Sequence, residues 1–252
     1  MDQSLSEERD AGREGGGDAR ARLLAATLPH VVFDGWSDAA VQAGARDAGL
    51  DPGLMRVLCP RGALDLAADY HRAGDAAMVK ALAAADLGAL RFRERIAHAV
   101  RLRLAGADRE VVRRGMVLFA LPQNMAAGSG LIWGTADAIW RALGDRSDDL
   151  NWYTKRLTLS AVYSATVLYW LGDTGANSGP DSGPNAGPDS GAAATWAFLD
   201  RRIGDVMAFE KAKADFRASG LGRMLAGPLK ILDHIHAPAA AAPAATTEKG
   251  QE

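Results

Sequence analysis

Between Leu157 and Leu171 the chain carries no charged residue, and such a run has few places to go in a folded protein. It is 15 residues long and includes Thr158, Ser160, Ser164 and Thr166, whereas a spanning helix needs about 20 predominantly apolar residues. It therefore reads as a buried core helix, covered on every side by other elements. Its entrance differs in character. Gly144-Asp145-Arg146-Ser147-Asp148-Asp149-Leu150-Asn151-Trp152-Tyr153-Thr154-Lys155-Arg156 sets an aromatic pair among charges. Ser147, Asp148 and Asp149 supply a cap and negative charge at a helix start, where amides are unpaired. Trp152 and Tyr153 then fall in the first turns, at a polar mouth.

The rest of the chain also reads as helix. It has no sustained apolar/polar alternation and no run of β-branched residues long enough for a sheet. The fold class is all-α, with about ten helices expected over 19–34, 37–48, 52–58, 61–84, 88–105, 108–121, 123–143, 147–171, 193–214 and 219–235. The punctuation agrees: Ser37 and Asp51 are caps, Pro52 takes a first helical position, and Gly49 and Gly106 follow helical patterns.

With 252 residues, 48% of them hydrophobic, the chain can bury one sizeable core in a single domain. Residues 1–18 are polar and glycine-rich, and 237–252 are Ala, Pro and Thr without periodicity; both are expected to be disordered, flanking a domain over 19–236. Within 173–192 stand Ser178-Gly179-Pro180-Asp181, Ser182-Gly183-Pro184-Asn185 and Ala186-Gly187-Pro188-Asp189. These copies of one tetrapeptide read as a flexible insertion. The N-terminal sequence lacks the apolar core of a signal peptide and is too acidic for a mitochondrial presequence, so a cytoplasmic location is expected. Cys59 is the only cysteine, which excludes an intrachain disulfide and suits a small buried hydrophobe.

Ala39 to Met55 has the helix, tight Gly turn and second helix of a helix-turn-helix, and resembles the head of TetR-type repressors. The second helix, Pro52-Gly53-Leu54-Met55-Arg56-Val57-Leu58, offers one charged residue. From His30 to Asp75 the acids Asp34, Asp38, Asp47, Asp51, Asp65, Asp69 and Asp75 face only Arg46, Arg56, Arg61 and Arg72. Net negative charge opposes a polyanion, because phosphate neutralisation dominates affinity for nucleic acid. A degenerate head without DNA binding is expected.

Arg91, Arg93, Arg95, Arg101, Arg103, Arg109, Arg113 and Arg114 form a basic run, read as a solvated face or as attraction to an anionic membrane surface. Beyond it, Met116 to Trp140 and the 157–171 helix supply more large apolar surface than two thin helices need, interrupted by Gly128, Gly130 and Gly134. Those glycines permit close backbone approach or leave room for a ligand. Pro122-Gln123-Asn124 caps and kinks between apolar segments. Near the end, Leu221, Met224, Leu225, Pro228, Leu232 and Ile235 follow helical spacing opposite Arg223, Lys230, Asp233 and His234. This amphipathic helix, 219–236, covers the core or lies in a bilayer interface.

The 144–156 segment and Leu121-Pro122-Gln123-Asn124 resemble signatures of the ubiquinone-biosynthesis accessory proteins of the ninth Coq family, lipid-binding relatives of the TetR repressors. The resemblance covers roughly 20–236 apart from the insertion. It implies a TetR-like bundle with an apolar pocket for an isoprenoid or phospholipid ligand, for which Leu118, Leu121, Met125, Trp133, Leu159, Tyr163 and Val167 are the expected contacts. It implies a partner patch for a ubiquinone-pathway hydroxylase at Trp152 and Tyr153, with Lys155 and Arg156 at its rim. It also implies peripheral attachment to the inner membrane of a bacterium through Leu221, Met224, Leu225, Pro228, Leu232 and Ile235, and a homodimer.

No HExxH, glycine-rich phosphate loop, nucleophile elbow or zinc-like cysteine set occurs, and His234 and His236 are wrongly spaced to share a helix face. No catalysis, no metal and no cofactor are expected. A ligand-responsive repressor of the same fold is the alternative.

Overall fold

The computed structural model describes residues 2–148, 150–173 and 192–218, with side chains described between Gly16 and Ala208. Among them are nine α-helices and no strand: α1 (Asp2–Asp34), α2 (Asp38–Asp47), α3 (Pro52–Leu58), α4 (Ala63–Ala84), α5 (Phe92–Ala105), α6 (Arg109–Phe119), α7 (Met125–Ala142), α8 (Leu150–Gly172) and α9 (Ala193–Ala218). A single 3₁₀ turn, Pro122–Asn124, joins α6 to α7. The expected helix over 219–235, the repeats and the C-terminal tail lie outside the described residues.

Local chemistry sets most boundaries. The Ser37 hydroxyl accepts from the Ala40 amide at 3.2 Å, and the Asp51 carboxylate accepts from Gly53 and Leu54 at 2.7 and 3.3 Å. Each satisfies donors left unpaired at a helix start. Gly49 adopts a φ of 64° between α2 and α3, a turn that a side chain would strain. Helix α1 begins at Asp2 rather than near residue 19. No proline interrupts Asp2–Leu28, so nothing in that stretch forces the helix to stop.

Two apolar clusters hold the described residues together. One gathers Leu23, Val31, Trp36, Val41, Leu66 and Val111 around α1, α2, α4 and α6, with Cys59 buried in it. Burial pushes the Cys59 thiol up, the direction of an unreactive hydrophobe. Helices α1 and α2 pack closely because Gly44 lies against Thr27; a Cβ on Gly44 would stand 2.7 Å from the Thr27 Cα. The larger cluster contains Val100, Leu104, Ile139, Leu159, Tyr163, Trp170, Trp196 and Leu199 from α5, α7, α8 and α9. Helix α8 buries one face, with Leu159, Val162, Tyr163, Thr166, Val167 and Trp170, and is not covered on every side as expected, because Leu157, Ala161 and Leu168 stay exposed.

The basic run is largely consumed in holding this arrangement. Arg103 is buried and paired with Asp75, 2.7 Å away. Arg101 reaches Asp200 of α9 at 2.9 Å, and Arg91 pairs with Glu94. Arg109 donates to the Asp173 carbonyl, and Arg113 donates to the Leu171 carbonyl at 3.1 Å. Arginines of α6 therefore meet the unpaired carbonyls at the C-terminal end of α8, where positive charge is favoured. These contacts commit several arginines of the basic run to acids and carbonyls of neighbouring helices.

Candidate functional site

A cavity of about 330 Å³ lies where the two apolar clusters meet. Trp36, Ala67 and Val111 come to it from one cluster, and Leu104, Leu131, Tyr163 and Val167 line it from the side of α5, α7 and α8. Its volume is within the ~300–1,000 Å³ common for small-molecule sites. Met116, Met125 and Leu168 are at once lining residues and exposed, so they mark the mouth. The 3₁₀ turn positions this mouth. Asn124 is buried and donates its Nδ2 to the Leu118 carbonyl at 3.0 Å, which turns the chain from α6 into α7. Gly128 on α7 faces Phe119 so closely that a Cβ would lie 2.9 Å from the Phe119 Cβ.

Away from the mouth, the cavity wall includes a small polar group. Arg103 Nε is 2.7 Å from Asp75 Oδ1, and Arg103 Nη2 donates to the His71 carbonyl at 3.0 Å. The Thr135 hydroxyl lies 2.9 Å from Asp75 Oδ1, and the His71 Nε2 is 2.8 Å from that hydroxyl. Burial, only partly opposed by Asp75, pushes His71 down to about 4, so the imidazole is neutral near pH 7. Arg103 stays charged and is matched by Asp75. The group carries one positive and one negative charge, each already committed.

Of the residues expected to contact a lipid, Met125, Tyr163 and Val167 line this cavity. The other expected contacts are placed elsewhere. Leu159 belongs to the core between α7 and α8. Leu118 packs on the cluster of the first helices, and Leu121 is 42% exposed beside the 3₁₀ turn. Trp133 joins a different feature, because helical spacing turns it away from Leu131 and Ile132. Its ring is 5.8 Å from Trp152 and 6.4 Å from Tyr153. Spacing alone had missed Trp36, Tyr70 and Val111, which reach the cavity from helices remote in sequence.

Trp133, Trp152 and Tyr153 thus form a half-buried aromatic cluster on α7 and α8, with Trp152 and Tyr153 edge to face at 4.8 Å. Arg156 does not stand at its rim. The side chain is buried beneath it, 2.6 Å from Asp137 and 3.1 Å from Asp145, with its guanidinium 4.0 Å from the Trp152 ring. Two carboxylates draw it inward, and full burial is tolerable only because both are paired with it. Lys155 is partly exposed and bonds to Asp145 at 2.7 Å. The Ser147 hydroxyl donates to Asp145 at 2.7 Å. The Asp145 carboxyl would be raised by burial, but bonds from Lys155, Ser147 and Arg156 hold it at about 2.

The fold and the site define an all-α protein built around an apolar cavity, with an aromatic surface cluster on the two helices that wall it. Comparison with known proteins shows what the chain is similar to. Residues 125–179, which include α7 and α8, match the COQ9 family model. The chain is 29% identical over 214 residues to the ubiquinone biosynthesis protein COQ9, mitochondrial, of Rattus norvegicus, covering 82% of this chain and 64% of that one. It is 28% identical over 204 residues to the probable ubiquinone biosynthesis protein coq9, mitochondrial, of Dictyostelium discoideum, covering 78% and 62%. The human COQ9 protein gives 28% over 215 residues, covering 82% and 62%. The chain is thus similar to the COQ9 family model over α7 and α8, and to these COQ9 proteins over about four-fifths of its own length. It spans roughly three-fifths of the length of these relatives.

Membrane-contact residues were expected at Leu221, Met224, Leu225, Pro228, Leu232 and Ile235; all lie outside the described residues. Among the described residues no helix is long and apolar enough to cross a membrane. None of their His, Cys, Asp and Glu side chains gather in a group suited to a metal ion.

Proposed function

We propose that this chain is a lipid-binding accessory protein of ubiquinone biosynthesis. It holds an isoprenoid quinone precursor in the cavity between its two apolar clusters and presents it to a pathway hydroxylase without doing chemistry on it. The observation that carries this reading is the cavity itself, walled by apolar side chains and opening past Met116, Met125 and Leu168. An exposed apolar mouth is costly in water and useful at a lipid source. Kinship with relatives named for ubiquinone biosynthesis supplies the pathway.

In this reading the aromatic cluster around Trp152 and Tyr153 contacts the hydroxylase, since large aromatic side chains with polar atoms are frequent binding hot spots. The amphipathic 219–236 segment attaches the protein to the cytoplasmic face of a bacterial inner membrane, and two copies form a homodimer. The resemblance to TetR-type repressors describes the bundle and its degenerate head, without nucleic acid as a partner.

Purification from the native host without detergent, followed by mass spectrometry of extracted small molecules, tests the central claim. A polyprenyl quinone or precursor near one per chain is expected. A protein that stays empty even after incubation with lipid vesicles would overturn it.

A further inference from the structure

Between Arg114 and Asp137 the chain carries no charged residue. Where this stretch begins it is also uncovered: Met116, Val117, Leu121 and Met125 are all exposed, Val117 by 66%. They follow one another through the last turn of α6, the 3₁₀ turn and the first residue of α7, and Met116 and Met125 meet Leu168 of α8 at the cavity mouth. These side chains therefore form one apolar rim at the opening, and exposed apolar surface bordered by polar residues marks an interaction site. The border here is basic. Arg109, Arg113 and Arg114 precede the rim on α6, and the one acid of that helix, Glu110, pairs with both Arg113 and Arg114. Other acids close by are spent: Asp108 accepts from the Glu110 and Val111 amides, and Asp173 from Thr195. Arg113 and Val117 share a face of α6, one turn and about 6 Å apart.

We propose that this rim seats the cavity mouth on an anionic lipid bilayer. Val117, Leu121 and Met125 enter the acyl boundary, the arginines of α6 stay among the headgroups, and the ligand passes between bilayer and cavity without crossing water. The dimensions agree. Interfacial apolar faces sink roughly 5–10 Å below the headgroups, which matches the one-turn offset between Arg113 and Val117. Surplus positive charge beside that depth is attracted to anionic lipid. A protein partner suits the rim less well, because its exposed side chains include no Trp, Tyr or Arg, the residues that dominate protein interfaces. The aromatic cluster stands apart from it: Trp133 lies about 12 Å along α7 from Met125, and Trp152 about 24 Å along α8 from Leu168. A hydroxylase held at Trp152 and Tyr153 would leave the rim uncovered and sit next to it on the same membrane.

This assignment rests on the cavity reading above, and the two fail differently. Val117→Cys and Leu121→Cys, each labelled with a polarity-sensitive fluorophore in the full chain, would be mixed with vesicles of phosphatidylcholine alone or with equimolar phosphatidylglycerol. Val57→Cys on α3, 75% exposed and outside the cavity lining, is the reference position. All three side chains are exposed, so folding does not depend on them, and the wild type, whose Cys59 is buried, reports any unintended labelling. Emission at positions 117 and 121 should move to the blue and rise severalfold with the mixed vesicles, rise less with phosphatidylcholine alone, and stay unchanged at position 57. No change at 117 and 121 would overturn the rim assignment, whether or not the chain sediments with the vesicles. A change caused by the hydroxylase or by raising the protein concentration, with none from vesicles, would overturn it too. Lipid extracted from the protein after its separation from the vesicles reads the cavity independently. Uptake without an emission change strikes the rim and spares the cavity; an emission change without uptake does the reverse.

Discussion

Arg156 Nε lies 2.6 Å from Asp137 Oδ1, a buried ion pair that locks α8 to α7 directly beneath the aromatic cluster. The same guanidinium donates to the Trp152 carbonyl at 3.0 Å and sits 4.0 Å from the Trp152 ring. One side chain therefore braces two helices and supports the surface above them.

Arg156→Ala leaves Asp137 with only Arg141, 2.9 Å away, and weakens the hold on Asp145. Removing one member of a buried pair typically costs about 3–5 kcal/mol. Urea unfolding should show a loss of that order, with a smaller loss for Arg156→Lys, which keeps the charge but cannot reach both carboxylates with a planar fork. A variant within about 0.5 kcal/mol of the wild type would mean that the pair contributes specificity without stability.

Acid should weaken the fold in two separate windows. His71 is held down to about 4 by burial, against its ordinary 6.5. Because the unfolded chain takes up this proton first, stability falls as the pH drops from about 6.5 towards 4, by on the order of 3 kcal/mol. Asp145 has a depressed folded value of about 2 against 3.8. Its contribution is fully present above 3.8 and is lost as the pH falls from there through about 2. Urea midpoints across these windows check both signs: His71→Gln should flatten the upper window alone, and Asp145→Asn the lower.

The all-α class and most helix boundaries were legible because they depend on local chemistry: Ser37 and Asp51 cap where their side chains predict. The cavity was harder to read. Met125, Tyr163 and Val167 were expected at a pocket through the family resemblance, but Trp36 and Val111 arrive through tertiary packing that no short-range pattern encodes. The resemblance likewise misplaced Arg156 at a rim, because whether an arginine lies at a rim or beneath it depends on carboxylates such as Asp137 from another helix. The glycines divide similarly. Gly128 serves close approach to Phe119, Gly130 and Gly134 face open space, and the tightest crossing, at Gly44, had no sequence signal beyond the residue itself.

The insertion should be dispensable for folding. Asp173, just before residues 174–191, accepts from both the amide and the hydroxyl of Thr195, at 3.1 and 2.6 Å. The chain thus leaves α8 and returns at α9 through two residues already bonded to each other, so joining them demands little reach. Replacing residues 174–191 with a short Gly/Ser linker should change the melting temperature by no more than a few degrees, since closure entropy varies slowly with loop length. Asp173→Ala in the full-length chain should lower it more. The opposite order would show that the repeats, rather than this bond, hold α9 in place.

Filling the cavity should separate its role from that of the aromatic cluster. Val167 lines the cavity and is 8% exposed, so Val167→Phe projects a ring into space that a ligand would need. Overpacking a filled core costs about 1–3 kcal/mol, but here there is open volume to receive the ring. Thermal stability of the ligand-free protein should therefore be unchanged or raised, while the amount of lipid carried through purification falls several-fold. Trp152→Ala should do the reverse, leaving lipid content intact and weakening capture of the pathway hydroxylase. Both are read from the same preparations by mass spectrometry and by pull-down with the purified hydroxylase. If Val167→Phe retained its lipid and lost stability, the cavity would behave as core, and the ligand would have to be sought elsewhere, at exposed apolar side chains such as Leu157 or Val117.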